Sequence, residues 1–130
     1  MHILKSTVGE GAVLQGFKAE LFKALGHPVR IRILELLRDG ERTVSELQAI
    51  LGIEASTVSQ QLAVLRSRQL VTGRKEGTSV HYRIADSAVF DLLDIARSIF
   101  DRHLITLQAM AEDSGPDLMA TTAQETTPSS

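Results

Sequence analysis

The stretch of sequence that decides the fold is residues 43–67, which read TVSELQAILGIEASTVSQQLAVLRS. Thr43 and Glu46 have the spacing of a capping box, in which the threonine hydroxyl and the glutamate carboxylate accept each other's backbone N–H. The short helix that follows is predicted to end at Gly52, a residue type that commonly terminates helices. After a turn of three or four residues, a second helix is predicted over about residues 56–67. Two short helices joined in this way predict a helix-turn-helix.

The second helix of this motif carries small polar residues on the side away from its apolar stripe. Val58, Leu62 and Leu65 recur at helical spacing and are predicted to be buried. The other positions face outward or lie on a flank: Ser56, Gln60 and Ser67 outward, Thr57 and Val64 on one flank, and Ser59 on the other. Glutamine can bind adenine N6 and N7 as a bidentate pair, and serine or threonine can donate or accept. This helix is therefore suited to reading bases in the major groove.

Two short β-rich runs after the helix pair predict a hairpin. The runs are residues 70–74 and 79–84, and the Lys-Glu-Gly-Thr sequence of residues 75–78 predicts the turn between them. Basic side chains that can neutralise phosphates or enter the minor groove lie at the hairpin tip and at the end of the preceding helix: Arg74, Lys75, Arg66 and Arg68. A helix-turn-helix followed by a basic hairpin predicts a winged helix-turn-helix.

Helical periodicity continues on both sides of this motif. Residues 14–25 and 28–39 are predicted to form two helices, and Asp86 or Ser87 caps a long last helix that runs to about Met110. The apolar surface of that last helix is wider than a lone terminal helix on a small body can cover, which suggests a second copy of the chain as partner. The predicted fold is therefore mainly α-helical (α+β), with four helices, two strands and one long helix.

Composition along the chain predicts one domain with two loose ends. Residues 1–13 contain Gly9 and Gly11 and little periodicity, and are predicted to be a flexible N-terminal arm. Residues 112–130 accumulate Ser, Gly, Pro, Thr and Gln and are predicted to be a disordered tail. The winged helix-turn-helix DNA-binding and dimerisation domain is predicted over residues 14–111.

The formal net charge of −2 hides an uneven distribution of charge. Residues 1–54 carry seven basic and seven acidic side chains, residues 55–85 five basic and one acidic, and residues 86–130 two basic and eight acidic. A basic middle in an otherwise acidic chain indicates one surface suited to phosphates.

Several classes of protein are excluded by what the sequence lacks. It contains no cysteine, which excludes disulfides, thiolate nucleophiles and sulfur-ligated metals. No run approaches the ~20 apolar residues of a membrane span and no signal peptide is visible, so a cytoplasmic protein without membrane contact is expected. No nucleophile–base pair, paired carboxylates or phosphate-binding loop indicates an enzyme, and no cofactor is predicted.

Four segments in order carry a family resemblance: Phe22–Leu34, Thr43–Leu47, Ser56–Arg66, and Arg74–Gly77 before His81–Ile84. Together they resemble the ArsR/SmtB family of bacterial repressors, over about residues 14–110. The resemblance implies a homodimer held by the first and last helices, a palindromic operator in double-stranded DNA, and a ligand that alters the affinity for it. It also implies DNA contacts on the second helix of the motif and on the wing: Ser56, Thr57, Ser59, Gln60, Gln61, Arg74 and Lys75.

The metal sites of that family are incomplete in this chain. The positions where arsenic, cadmium and lead sensors place cysteines hold residues that do not bind soft ions: Thr43, Ser45 and Gln48. Of the zinc-type site only Asp86 has a counterpart, because other residues occupy the remaining positions: Ala88, Ile99 and Arg102. Asp101 and His103 are two residues apart on a helix, hence about 200° apart, and cannot chelate one ion. No metal site is therefore predicted; a metal role would need further ligands, such as His2.

The leading interpretation is a sequence-specific DNA-binding transcriptional regulator, a dimeric repressor whose effector ligand the sequence does not identify. Two alternatives stay open. One is a metal-responsive sensor with an unusual site that lacks cysteine. The other is a protein-interaction module that does not bind DNA and uses the long apolar helix for a different partner.

Overall fold

The computed structural model describes residues 2–114, with side chains described over residues 9–113. Its elements, in chain order, are α1 His2–Leu25, α2 Pro28–Leu37, α3 Val44–Leu51, α4 Ala55–Ser67, β1 Val71–Glu76, β2 Ser79–Ile84 and α5 Ala88–Ser114. This order of four helices, one antiparallel hairpin and a long last helix confirms the predicted winged helix-turn-helix class. Within the same residues, no helix is long and apolar enough to cross a membrane.

The N-terminal end of α1 differs from the sequence prediction. A flexible arm is predicted over residues 1–13, whereas the structure is helical from His2 onward. Gly9 and Gly11 each cost a helix about 1 kcal/mol relative to alanine, but neither removes a backbone hydrogen-bond donor as proline would. The glycines therefore lower helix propensity without ending the helix, and residues 2–13 are part of α1 in the structure.

The C-terminal part of the structure consists of α5. This helix ends at Ser114, beyond the predicted end near Met110. Residues 112–114 of the predicted tail are thus helical, and the rest of that tail lies outside the described residues. By its internal contacts the chain divides inside α5, with one compact unit ending at Phe90 and the next beginning at Asp91. The boundaries predicted from composition do not coincide with this division.

The core of the first unit is built from α2, α3, α4 and β1. Its fully buried large side chains are Ile33, Leu34, Leu47, Val58, Leu62, Leu65 and Val71. Val58, Leu62 and Leu65 form the stripe predicted for the second helix of the motif, so that prediction is confirmed. Because this stripe is buried, the opposite side of α4 faces solvent.

The capping box predicted at the start of α3 is present. The Thr43 N–H donates to Glu46 Oε1 at 2.8 Å, and the Glu46 N–H donates to Thr43 Oγ1 at 3.2 Å. Hydrogen bonds to the Glu46 carboxylate, from the backbone N–H of Thr43 first and from its side chain second, hold the pKa of Glu46 below its ordinary value. The helix ends at Gly52 with φ +67°, a left-handed conformation that glycine adopts without steric cost. This glycine turns the chain into α4.

The hairpin is longer than predicted. β1 pairs with β2 antiparallel from Val71 opposite Ile84 to Glu76 opposite Ser79, so Gly77 and Thr78 alone form the turn. The prediction that β1 ends at residue 74 is therefore wrong. Arg74 and Lys75, predicted at the tip, lie inside β1, where successive side chains point to opposite faces.

Two backbone features attach the hairpin to the helices. Arg42, in the loop between α2 and α3, exchanges hydrogen bonds with Tyr82 of β2, with N···O distances of 3.0 and 2.8 Å. After α4 the chain turns at Gln69, whose φ of +60° is left-handed, and the Leu70 N–H donates to the Leu65 carbonyl at 2.9 Å. This six-residue bond is that of a Schellman motif. Backbone bonds thus attach β2 to the loop before α3, and the residue before β1 to the end of α4.

Candidate nucleic-acid interface

α4 presents one continuous exposed face. After Ala55, which is exposed at the start of the helix, its exposed side chains recur three or four residues apart and belong to Ser56, Ser59, Gln60, Ala63, Arg66 and Ser67. All but two are serine or alanine, whose short side chains allow the helix backbone to approach a groove floor closely. Gln60, near the middle of this face, can make the bidentate hydrogen bonds that distinguish one base from another.

Two residues predicted as contacts lie on a flank of α4, as the sequence predicts for Thr57. Thr57 and Gln61 are half-buried, as is Val64 one turn further on. The Oε1 atom of Gln61 is enclosed and has no hydrogen-bond partner among the described residues. Gln60 and Gln61 are adjacent in sequence, but the structure gives only Gln60 a fully exposed position.

The basic stretch of residues 55–85 is partly neutralised by carboxylates from elsewhere in the chain. Arg68 forms an ion pair with Glu20 of α1, with a 2.7 Å distance between Nη2 and Oε2. Arg74 forms one with Glu41, which precedes α3. Counting charge along the sequence missed both pairs, because each partner lies more than thirty residues away along the chain. The positive surface is therefore smaller than composition suggests.

Arg74 is held between two carboxylates. Its Nη2 lies 2.8 Å from Glu41 Oε1 and its Nε 3.4 Å from Glu41 Oε2, while its Nη1 lies 2.7 Å from Glu76 Oε2. Hydrogen bonding to Arg74 is the largest cause that holds the pKa values of Glu41 and Glu76 below their ordinary range, and the same bonds raise the pKa of Arg74. His81, opposite Arg74 in the sheet, places Nε2 3.8 Å from Glu76 Oε2.

Lys75 and Arg66 are the predicted cations that remain available to an external anion. Both are exposed, and neither forms an ion pair with any side chain described over residues 9–113. Lys75 lies on the opposite face of β1 from Arg74, because it is the next residue in the strand. The sequence signal for this difference is the spacing of Arg74 and Glu76, which places both on one strand face.

The histidines and acidic residues of the described segment do not assemble a metal site. From residue 9 to residue 113, no three side chains of His, Asp or Glu lie close enough to hold one ion. Asp101 instead accepts a hydrogen bond from Arg97 at 3.1 Å, one turn earlier in α5. His27 caps α2, since its Nδ1 accepts the Val29 N–H at 3.2 Å.

The central part of the chain matches a described protein family. Residues 27–72, from the N-cap of α2 into β1, match the description bacterial regulatory protein, arsR family. Over 105 residues the chain is 45% identical to the uncharacterised HTH-type transcriptional regulator Rv0081 of Mycobacterium tuberculosis, an alignment that covers 80% of this chain and 92% of that protein. The chain belongs to the arsR family of bacterial regulatory proteins.

Solved structures and a further relative of the chain agree with this family. The crystal structure of Rv0081 superposes with a TM-score of 0.66 at 46% identity, covering 72% of this chain and 94% of that chain. The solution structure of Mb0332 from Mycobacterium bovis, described as a homodimeric winged helix-turn-helix DNA-binding domain, has a TM-score of 0.65 at 39% identity, covering 72% and 86%. The biofilm growth-associated repressor of Agrobacterium fabrum is 40% identical over 82 residues, 63% of this chain and 70% of that protein.

Membership of the arsR family confirms the predicted function class. The family consists of transcriptional regulators and not of enzymes. This chain is a DNA-binding transcriptional regulator that contains a winged helix-turn-helix.

Proposed function

We propose that this arsR-family regulator is a dimeric repressor that acts in the cytoplasm on a palindromic operator in double-stranded DNA. The observation that carries the proposal is the exposed face of α4, which is formed by small and hydrogen-bonding side chains around Gln60. A helix that enters the major groove requires side chains that are short enough for close approach and able to hydrogen-bond base edges, and this face of the second helix of the motif supplies both.

The predicted contacts divide into three groups within this proposal. Ser56, Ser59 and Gln60 read base edges from the exposed face. Thr57 and Gln61, on the half-buried flank, are proposed to contact the DNA at the edge of the groove. The remaining predicted contacts are basic and act on phosphates or on the wing itself: Arg66, Arg74 and Lys75. Phosphate contacts fix the position of a protein on DNA, and base contacts supply specificity.

The proposal of a dimer is supported by exposed apolar side chains in each of the two units. In the first unit four of them lie on α1, namely Val13, Leu14, Phe17 and Phe22. In the second unit they lie on α5 and are Ile95, Ile99, Phe100, Leu104, Ile105, Leu107 and Met110. Apolar patches of this kind on a soluble chain mark interaction surfaces. The homodimer named for Mb0332 supports a second copy as the partner.

A two-fold dimer presents two copies of α4, which is why a palindrome is the matching target. Helix-turn-helix dimers bind half-sites about one DNA turn apart, so the symmetry of the operator mirrors that of the protein. The description of the Agrobacterium fabrum relative as a repressor supports repression as the mode of action.

Fluorescence anisotropy tests the proposal. The full chain is titrated into labelled DNA from the region upstream of its own coding sequence and into a scrambled duplex of equal length, at two salt concentrations. We expect the upstream DNA to bind at least about 1,000-fold more tightly, the low end of specific recognition. Equal binding to both duplexes would contradict the proposal and favour the protein-interaction module. Gain or loss of binding with one divalent metal, compared with chelator, would instead support a metal sensor.

A further inference from the structure

The wing carries two adjacent cations that the structure places in different surroundings. Arg74 contacts the carboxylates of Glu41 and Glu76, at 2.8 and 2.7 Å, on one face of β1. Lys75 is exposed on the opposite face, and no ion pair to it is present within residues 9–113. The sequence predicts a phosphate contact at each of the two residues, but the structure places them in different surroundings.

The ion-pair cluster formed by Arg74, Glu41 and Glu76 extends across three neighbouring segments: the loop between α2 and α3, β2, and β1. Glu41 belongs to the loop between α2 and α3, next to Arg42, whose backbone pairs with Tyr82 of β2. Arg74 lies on β1, on the other side of β2 from that loop. Its bond to Glu41 therefore spans β2 and ties the outer strand of the wing to the loop that leads into the helix-turn-helix.

The charges around Arg74 do not favour a phosphate as an additional partner. The residues facing it on the outer side of the wing are Glu41, Glu76, His81 and Arg83. Arg74 and its two carboxylate partners together carry a charge of −1, and Arg83 on the same face brings the sum to zero, so no net positive charge remains there for a phosphate. A DNA phosphate approaching Arg74 would meet both carboxylates within a few ångströms, where like charges repel even in water.

We propose that Arg74 is a positioning residue, which holds the wing against the loop between α2 and α3, and that Lys75 is the wing residue that contacts phosphate. The inference rests on the proposed DNA binding and refines it. Arg74 acts on DNA through the orientation of the wing, so its loss leaves the Lys75 contact with phosphate in place but in a less favourable geometry. A bidentate arginine suits this role because its planar fork fixes the geometry of the partner carboxylate.

The test measures the operator affinity of full-length variants as a function of salt. Each phosphate contact contributes about 0.9 to the slope of log affinity against log salt. We expect Lys75→Ala to lower the slope by about one unit on operator and on scrambled DNA alike. We expect Arg74→Ala to keep the wild-type slope and to reduce operator affinity about three- to tenfold, the scale of a small exposed ion-pair network.

Glu41→Gln distinguishes a positioning role of Arg74 from a direct contact with phosphate. If Arg74 positions the wing, this variant weakens operator binding in the same direction as Arg74→Ala, because both break the same bond. Arg74→Lys keeps the charge but cannot form the bidentate bond, so we expect it to lose affinity without a change of slope. Thr72→Ala, exposed on the same face of β1, is the matched control and removes neither charge nor ion pair.

The opposite results would overturn the inference. If Arg74 contacts phosphate and Glu41 only masks it, Arg74→Ala lowers the slope by about one unit, and Glu41→Gln tightens binding to all DNA. Slopes measured on scrambled DNA decide between these roles even where the operator is misidentified. Equal affinity of the wild-type chain for operator and scrambled DNA would contradict the proposed repressor alone, and absence of any DNA binding would overturn both proposals.

Discussion

Gln60 and Gln61 show how one step along a helix changes what a side chain can do. A rotation of about 100° per residue carries Gln60 to the exposed face of α4 and Gln61 to its half-buried flank. The amide of Gln60 is free to meet a base edge. The Oε1 atom of Gln61 is enclosed by protein, so this residue has less hydrogen-bonding capacity to offer DNA.

Substitution of Gln60 tests base reading at this scale. We expect Gln60→Ala to weaken operator binding by about 1–3 kcal/mol and to leave the affinity for scrambled DNA unchanged, because a base contact carries sequence information. Competition anisotropy with single-base operator variants measures the effect. Gln61→Ala is the matched neighbour and is expected to lose less. Equal losses on operator and scrambled DNA would show that Gln60 does not read bases.

The carboxylates beside Arg74 predict how the unfolding free energy depends on pH. The pKa of Glu41 is lower in the folded chain than its ordinary value of 4.5. A lowered pKa contributes stability that is present above the ordinary value and is lost as the pH falls through the lowered one. We expect Glu41→Gln to reduce the acid dependence of the unfolding free energy below about pH 4.5. Urea titrations at several acidic pH values measure this, and an unchanged dependence would contradict it.

Local spacing predicted much at the residue scale, and distant pairing did not follow from it. The capping box of Thr43 and Glu46 and the buried stripe of α4 depend on residues three or four apart, and both were predictable. The bond between Arg74 and Glu41 joins residues 33 apart in sequence. Such a pair depends on how β2 lies between two other segments, which no local pattern specifies.

At the scale of elements, β1 shows why the wing extends further than turn residues suggest. Lys-Glu-Gly-Thr has the composition of a four-residue turn, but Gly77 alone adopts the left-handed conformation, at φ +63°, so two residues are sufficient for the turn. Lys75 and Glu76 then pair with β2 and lengthen the strand. A tight two-residue turn fixes the register of a hairpin, and with it the face on which each wing cation lies.

Gly73 provides a test of the packing of the hairpin. A Cβ added there would lie 2.9 Å from Val80 Cγ1 and 3.2 Å from Tyr82 Cε1, so the side chains of β2 have to move. We expect Gly73→Ala to lower the unfolding free energy by about 1–3 kcal/mol. Gly16→Ala in α1 meets nothing within 4 Å and is expected to raise it by about 0.5–1 kcal/mol. Thermal denaturation of both variants measures these opposite changes in stability. Equal shifts of the melting temperature in the two variants would contradict the prediction.

At the scale of the whole molecule, element order was predictable because each element has its own period. The change from helical spacing to alternation after residue 67 located the hairpin, and the return of helical spacing over a long segment located α5. The start of α1 was not predictable from glycine content, because glycine weakens a helix by an amount that its neighbours can offset. The division of the chain at Phe90 lies within one continuous helix, so composition gives no signal of it.

The proposed dimer makes a prediction at this scale. Phe100 of α5 is 56% exposed, and a charge there would oppose burial against another copy. We expect Phe100→Glu to shift the chain from dimer to monomer in sedimentation velocity. Operator affinity should fall by on the order of 100-fold, since the second half-site is no longer linked to the first. Ser98→Glu, on the polar side of the same helix, is the control, and equal effects of both would contradict an apolar interface.

Gln69, whose backbone is left-handed, connects α4 to β1, the two elements proposed to contact DNA. A residue other than glycine pays about 1 kcal/mol for this conformation, so the torsion is held in place by its surroundings. We expect the Gln69→Gly variant to melt at a higher temperature, because glycine adopts this conformation without steric cost. We also expect it to discriminate less well between operator and scrambled DNA, because glycine restricts the torsion between α4 and β1 less. Calorimetry and anisotropy on the same sample would separate the two effects. One backbone torsion would then affect two properties in opposite directions: the change that raises the melting temperature lowers the discrimination between operator and scrambled DNA.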